Sequence, residues 1–170
     1  MEYDQKGREI NPLISASDQF AQALTEHFNW YSGVPDSVLK KTQDSLKPFH
    51  FSSRENHAVG MAFGARMMGR KPCLLIQNSG LGLAIDALLG LFRLYKQGVV
   101  LIVSNRGELE WEEIQHQDWG EITIPLLASL NIPVIDFGEQ GLQAIQVVSD
   151  LAYRENKIVV LLVHRGNLDE

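Results

Sequence analysis

The sequence predicts an α/β domain, a doubly wound parallel sheet with helices on both faces. Three observations predict it. Cys73-Leu74-Leu75-Ile76 and Val99-Val100-Leu101-Ile102-Val103 are apolar without alternation, as strands read when both faces are covered. The segment 80–98 between them carries apolar residues at helical spacing and stops at a glycine. Strand and helix patterns alternate along the whole chain, which favours parallel strands joined by helical crossovers.

Taken in order, residues 1–14 are polar and read as a loose arm, leaving 15–170 as a single domain. Ser17 or Asp18 is placed to cap a first helix that ends at His27. Residues 28–32 form a short strand, ended by Gly33-Val34-Pro35. Asp36 or Ser37 then caps a helix carrying Val38, Leu39 and Leu46, and 48–53 is a further strand. The stretch 53–68 is a helix apolar almost all round. Its Gly60 and Gly64 cost helix propensity, so they predict close packing against a neighbour. After the strand–helix–strand unit 71–105 comes a polar stretch, 106–120, with Trp111 and Trp119, read as a loop. A helix over 122–130, a strand over 132–137, a helix over 141–155 and a strand over 157–164 complete the chain.

Composition narrows the function. The formal net charge is -6, which opposes a nucleic-acid partner held through phosphates. Cys73 is the only cysteine, so no internal disulfide forms and a reducing compartment fits. No apolar run approaches the ~20 residues of a membrane helix, and the first dozen residues hold no apolar signal core. The expectation is a cytoplasmic protein off the membrane.

In such a sheet, ligands bind at the carboxyl ends of the strands. The segments there are 33–35, 52–55, 77–82, 105 onward and 137–141. Gly80-Leu81-Gly82 follows a strand, but the third glycine of a dinucleotide fingerprint is replaced by Ile85 and no acid ends the next strand. Gly-Lys-Ser/Thr is absent, and Ser79 lies outside any Gly-x-Ser-x-Gly. Glu113-x-x-His116 is half of a di-iron pattern without the other half, so no metal site is expected within the chain. Arg106 and Arg165 each follow an apolar strand and can hold an anion. Glu55 has two readings. Ser52-x-x-Glu55 fits a capping box, and a half-buried carboxylate can carry a proton.

Four blocks in order, YSGVPDSVLK, ENHAVGMAFGAR, QNSGLG and RGELEWEEIQHQDWGEIT, resemble the pyrimidine-binding (PYR-type) domain of thiamine diphosphate enzymes. The resemblance is strongest to the phosphonopyruvate and sulfopyruvate decarboxylase group and spans roughly 28–133. It implies a thiamine diphosphate-binding fold. It also implies that Glu55, nine residues before Gly64, shares a proton with the cofactor's pyrimidine in a 2-oxoacid decarboxylation. Gly33, Val34 and Pro35 then pack beside the pyrimidine, and Asn78, Ser79, Gly80, Leu81 and Gly82 line the cofactor cleft. Gln115 and His116 resemble the family's Gln-His pair, with His116 binding substrate or moving a proton. Asp36 and Arg106 are further candidates for the anionic substrate. Leu83 stands where the family block often has asparagine, and His57 where small or acidic residues are usual.

The family holds the diphosphate through Mg2+ bound by a Gly-Asp-Gly…Asn motif on a second domain. This chain has no Gly-Asp-Gly. The resemblance therefore implies an alpha subunit whose beta subunit carries that motif, in a heterotetramer or larger assembly. The alternative is a non-catalytic regulatory or binding subunit that keeps the fold.

Overall fold

Six parallel strands form the sheet, and the reason lies in their side chains. β3 (Trp30–Gly33), β4 (Phe49–Phe51), β5 (Pro72–Gln77), β6 (Val99–Asn105), β7 (Val134–Asp136) and β8 (Ile158–His164) pair in the order β4-β3-β5-β6-β8-β7. Every pairing is parallel. Successive residues of β5 enter opposite cores. Cys73 and Leu75 face one helical layer, and Leu74 and Ile76 the other. All seven residues of β6 are buried, so the unalternating runs are the mark of a doubly covered sheet, as expected from the sequence.

The computed structural model describes residues 2–3, 9–10 and 14–168. β1 (Glu2–Tyr3) and β2 (Glu9–Ile10) pair antiparallel. The rest of the expected arm, residues 1, 4–8 and 11–13, lies outside the described residues.

One layer holds α1 (Ala16–His27), α2 (Lys40–Ser45) and α7 (Gln143–Tyr153), with Phe20, Leu24, Ile145 and Val148 in its core. The other holds α3 (Glu55–Met67), α4 (Leu81–Ala87) and α5 (Ile114–Ser129), with Val59, Leu88, Phe92 and Leu127. A four-residue helix, α6 (Phe137–Gln140), follows β7. Each fully buried aliphatic or aromatic side chain contributes about 1.5–3 kcal/mol. Among the described residues no helix is long and apolar enough to cross a membrane.

Several expectations need correction. Ser15, not Ser17 or Asp18, caps α1, its Oγ accepting the Asp18 amide at 3.2 Å; Ser17 is buried inside the first turn. α2 starts only at Lys40, because Asp36 closes a turn instead, accepting the Leu39 amide at 2.8 Å. Within this chain Gly60 and Gly64 meet nothing within 4 Å, so they answer no packing need here. The helix expected over 80–98 opens into wider π turns over Leu88–Arg93. α5 begins eight residues earlier than expected, at Ile114, so Gln115 and His116 are helical rather than in a loop.

β3 and β5 meet at a point where only glycine fits. A Cβ on Gly33 would overlap the Leu75 carbonyl oxygen and crowd its carbon. Gly33→Ala is expected to cost about 1–3 kcal/mol of stability, the usual cost of overpacking. A lowered thermal midpoint by circular dichroism checks it.

Candidate functional site

The carboxyl ends of β3, β4, β5 and β6 bring the four sequence blocks to one edge. At the end of β4 the chain turns into α3. No capping box forms there. Arg54 is the cap residue, without a side-chain cap bond, and Ser52 Oγ donates to the Arg54 carbonyl at 2.9 Å. Glu55 is instead the first residue of α3, half-buried, with no hydrogen-bond or ion-pair partner for its carboxylate among the described residues. The side chain leans on Gly80, where a Cβ would stand 2.5 Å from Glu55 Cγ and Oε1 and 2.6 Å from Cδ. Gly80 has φ -69° and ψ -16°, a helical conformation open to any residue. The room left for Glu55, not backbone freedom, is what glycine provides here.

The 33–35 turn is held by Gln43, which sequence reasoning missed. Its Nε2 donates to the Val34 carbonyl at 2.9 Å, and its Oε1 accepts the Asp36 amide at 3.3 Å. Nothing in a helical glutamine signals this in advance. Asp36 is buried, and its Oδ2 has no hydrogen-bond partner among the described residues. A cleft of about 400 Å³ opens here, lined by Pro35, Asp36, Ser37, Gln43 and Phe51 among others.

After β5 a single 3-10 turn (Asn78–Gly80) leads into α4. Asn78 is fully buried, and its amide ties three segments together. Nδ2 reaches Asn105 Oδ1 (3.1 Å), the Arg106 carbonyl (2.9 Å) and Thr123 Oγ1 (3.1 Å), while Oδ1 accepts the Ser79 amide at 3.0 Å. Its side chain thus faces the protein, not a cleft. Leu81 is likewise buried in the core. Ser79 Oγ accepts Gln77 Nε2 at 2.8 Å. Gly82 lies under the Trp119 ring, 3.0 Å from a built Cβ, and Leu83 is 43 % exposed. Asn78→Ala strips partners from buried groups, each costing about 1–3 kcal/mol. The variant is expected to lose roughly 2–4 kcal/mol, measured by urea denaturation.

Arg106 leaves β6 buried, with each arm of its guanidinium engaged. Nε donates to Glu112 Oε1 (2.7 Å), one Nη to Ser37 Oγ (3.2 Å) and the other to Glu113 Oε2 (3.1 Å). An anionic substrate there would share it with two carboxylates. Glu112, buried and absent from the sequence reading, also accepts the amides of Gly107, Glu108 and Leu109. Burial pushes its carboxyl up, but Arg106 and those amides outweigh it and hold the group below the usual carboxylate range. Gly107 allows the tight fold with φ +88° and leaves no room for a Cβ beside the His116 carbonyl.

His116 sits in the first turn of α5, 9 % exposed, its Nδ1 3.0 Å from Glu113 Oε2. The Glu113-x-x-His116 spacing therefore places an imidazole against a carboxylate at one helix end. Gln115 is exposed on the same turn. Glu113's own amide, then Arg106 and His116, hold its carboxyl below the usual range. Arg165 stacks on Trp111, 5.0 Å from the ring centre, with Nε 3.6 Å from Glu112 Oε1.

The site thus offers a half-buried carboxylate without a partner among the described residues, a buried acid beside a cleft, and a histidine with Nδ1 set 3.0 Å from a carboxylate oxygen. This set can exchange protons with a bound group. No family model matches the chain. It is 35% identical over 127 residues to the sulfopyruvate decarboxylase subunit alpha of Methanococcus maripaludis, covering 71% of this chain and 75% of that one. It is 31% identical over 117 residues to the phosphonopyruvate decarboxylase of Streptomyces hygroscopicus, covering 65% of this chain and 29% of that one. The fold matches the 2-oxoglutarate:ferredoxin oxidoreductase of Magnetococcus marinus, with a TM-score of 0.70 at 12% identity. That match covers 99% of this chain and 33% of that one.

Proposed function

The chain belongs to the sulfopyruvate decarboxylase alpha-subunit family, and from that premise we propose that it is the pyrimidine-binding half of a two-subunit thiamine diphosphate-dependent 2-oxoacid decarboxylase. Its substrate is 3-sulfopyruvate or 3-phosphonopyruvate, and its products are the corresponding acetaldehyde and carbon dioxide. A beta subunit carrying Gly-Asp-Gly…Asn holds Mg2+ and the diphosphate.

The observation that carries this reading is Glu55. An acid that opens a helix, is half-buried and has no partner among the described residues sits over a glycine that spares room for it. That arrangement fits a carboxylate kept for a ring nitrogen. Thiamine diphosphate, when bound, supplies the electron sink that lets carbon dioxide leave. Glu55 holds a proton at a carboxylate oxygen and shares it with the pyrimidine. Partial burial strengthens that exchange by excluding water. His116, with Nδ1 turned to Glu113, presents Nε2 as the nitrogen that moves a proton at the substrate. Asp36 Oδ2, buried without a partner beside the cleft, is the second acid near the substrate. Val34 and Pro35 wall the pyrimidine, and Gly80 leaves room for the Glu55 side chain that meets it.

Reconstitution with the beta chain tests this. Carbon dioxide release is expected from sulfopyruvate or phosphonopyruvate and not from pyruvate. A complex that binds cofactor and decarboxylates none of the three overturns the reading. It would favour the non-catalytic alternative, for which exposed Leu83 in place of a polar residue is the supporting observation.

A further inference from the structure

His164 ends β8 with both ring nitrogens on carboxylates. Nδ1 is 2.6 Å from Glu108 Oε2, and Nε2 is 2.8 Å from Asp136 Oδ2. A neutral imidazole has one N–H and one lone pair, and an ionised carboxylate only accepts. Two such contacts therefore need two N–H groups. A proton placed on one of the acids instead would leave the stronger base for the weaker one. The pair of contacts therefore calls for an imidazolium.

Its two partners lie on different segments. Glu108 belongs to the stretch 106–113, whose amides at Gly107, Glu108 and Leu109 converge on Glu112, itself bound to Arg106. Asp136 ends β7 and caps α6, its Oδ1 accepting the amides of Gly138 (2.7 Å) and Glu139 (3.3 Å). The His164 amide donates to Asn167 Oδ1 at 2.8 Å. The other charged groups on these segments are Glu139 on α6, Arg165 next in the chain, and the Arg106–Glu112–Glu113 group. Arg165 and Arg106 are both engaged with Glu112.

We propose that His164 is a positioning residue: as an imidazolium it clasps the 106–113 segment to the β7–α6 corner, fixes Arg106 and the first turn of α5 with His116, and releases them when it loses a proton. The consequence for catalysis rests on the function proposed above; the clasp itself does not. Burial lowers the ring's basicity, but Glu108 and Asp136 more than reverse this and raise its pKa above the ordinary value. A raised folded pKa means the clasp stabilises in full below about pH 6.5, the unfolded value, and fades as pH climbs through the folded one.

Nuclear magnetic resonance of the full chain tests the clasp without cofactor or partner. The His164 ring is expected to titrate above the ordinary histidine value. As it titrates, hydrogen exchange at the Gly107, Glu108 and Leu109 amides, corrected for intrinsic rates, is expected to rise roughly tenfold. In Glu108→Gln that midpoint moves to lower pH. In Glu110→Gln, an exposed acid of the same segment that is not one of the ring's two carboxylate partners, it stays put. A ring that titrates at the ordinary histidine value, or amides indifferent to its titration, overturns the clasp. In the reconstituted enzyme, kcat is expected to fall along an alkaline limb that shifts with Glu108→Gln. Decarboxylation without that limb overturns the clasp's role as a positioning device for the site, and a clasp present in a complex that never decarboxylates overturns the functional reading alone.

Discussion

Glu55→Gln is expected to lower decarboxylation by the reconstituted enzyme about 10³-fold, the middle of the range for losing a positioned acid or base. The fold is expected to survive. Glutamine has nearly the same shape, so the packing on Gly80 persists, and no hydrogen bond or ion pair is lost, because the carboxylate has none among the described residues. What remains is a small helix-terminus effect, since an acid in the first turn is worth about 0.3–1 kcal/mol. Carbon dioxide release and a thermal melt, measured side by side, separate the two consequences. Full activity in the variant removes Glu55 from the chemistry. A collapsed melt would instead show that the acid was holding the helix start.

The fold was legible because its signal lies in the strands. The unbroken apolar runs of β5 and β6 can satisfy their side chains only between two layers, and both layers are present. Helix boundaries were less legible, because they depend on partners distant in sequence. Asp36 looked like a helix cap, yet it closes a turn and the helix starts only four residues later. The stretch 106–120 looked like a loop because its polar residues show no apolar stripe. Its second half is nonetheless helical, with Gly120 and Gly107 packed against each other and Thr123 tied to Asn78. For the candidate site, the motifs pointed to Glu55 and His116, and the structure sets each in the first turn of a helix. Gln43, Glu112 and the His164 clasp were not legible, since each acts through backbone amides or acids that the fold, not the local sequence, delivers.

Gly80→Ala carries the second large effect and the sharper logic. The backbone at Gly80 is ordinary right-handed helix, so alanine is conformationally allowed and even gains about 0.4–1 kcal/mol through the unfolded chain. Its methyl group, however, would stand 2.5 Å from Glu55 Oε1 and Cγ, and the flexible acid must swing away. That movement costs the fold little, leaving stability within about 1 kcal/mol of the parent. For catalysis the cost is large, because displacing a reacting group by an ångström is worth about 10²-fold. The double variant decides how Gly80 acts. If its only task is to leave room for that carboxylate, adding Gly80→Ala to Glu55→Gln should change the residual rate less than about threefold, as expected when two residues work through one group. A full second loss of about 10²-fold in that background would show that Gly80 serves the reaction by another route, such as direct approach of its backbone to the bound ring.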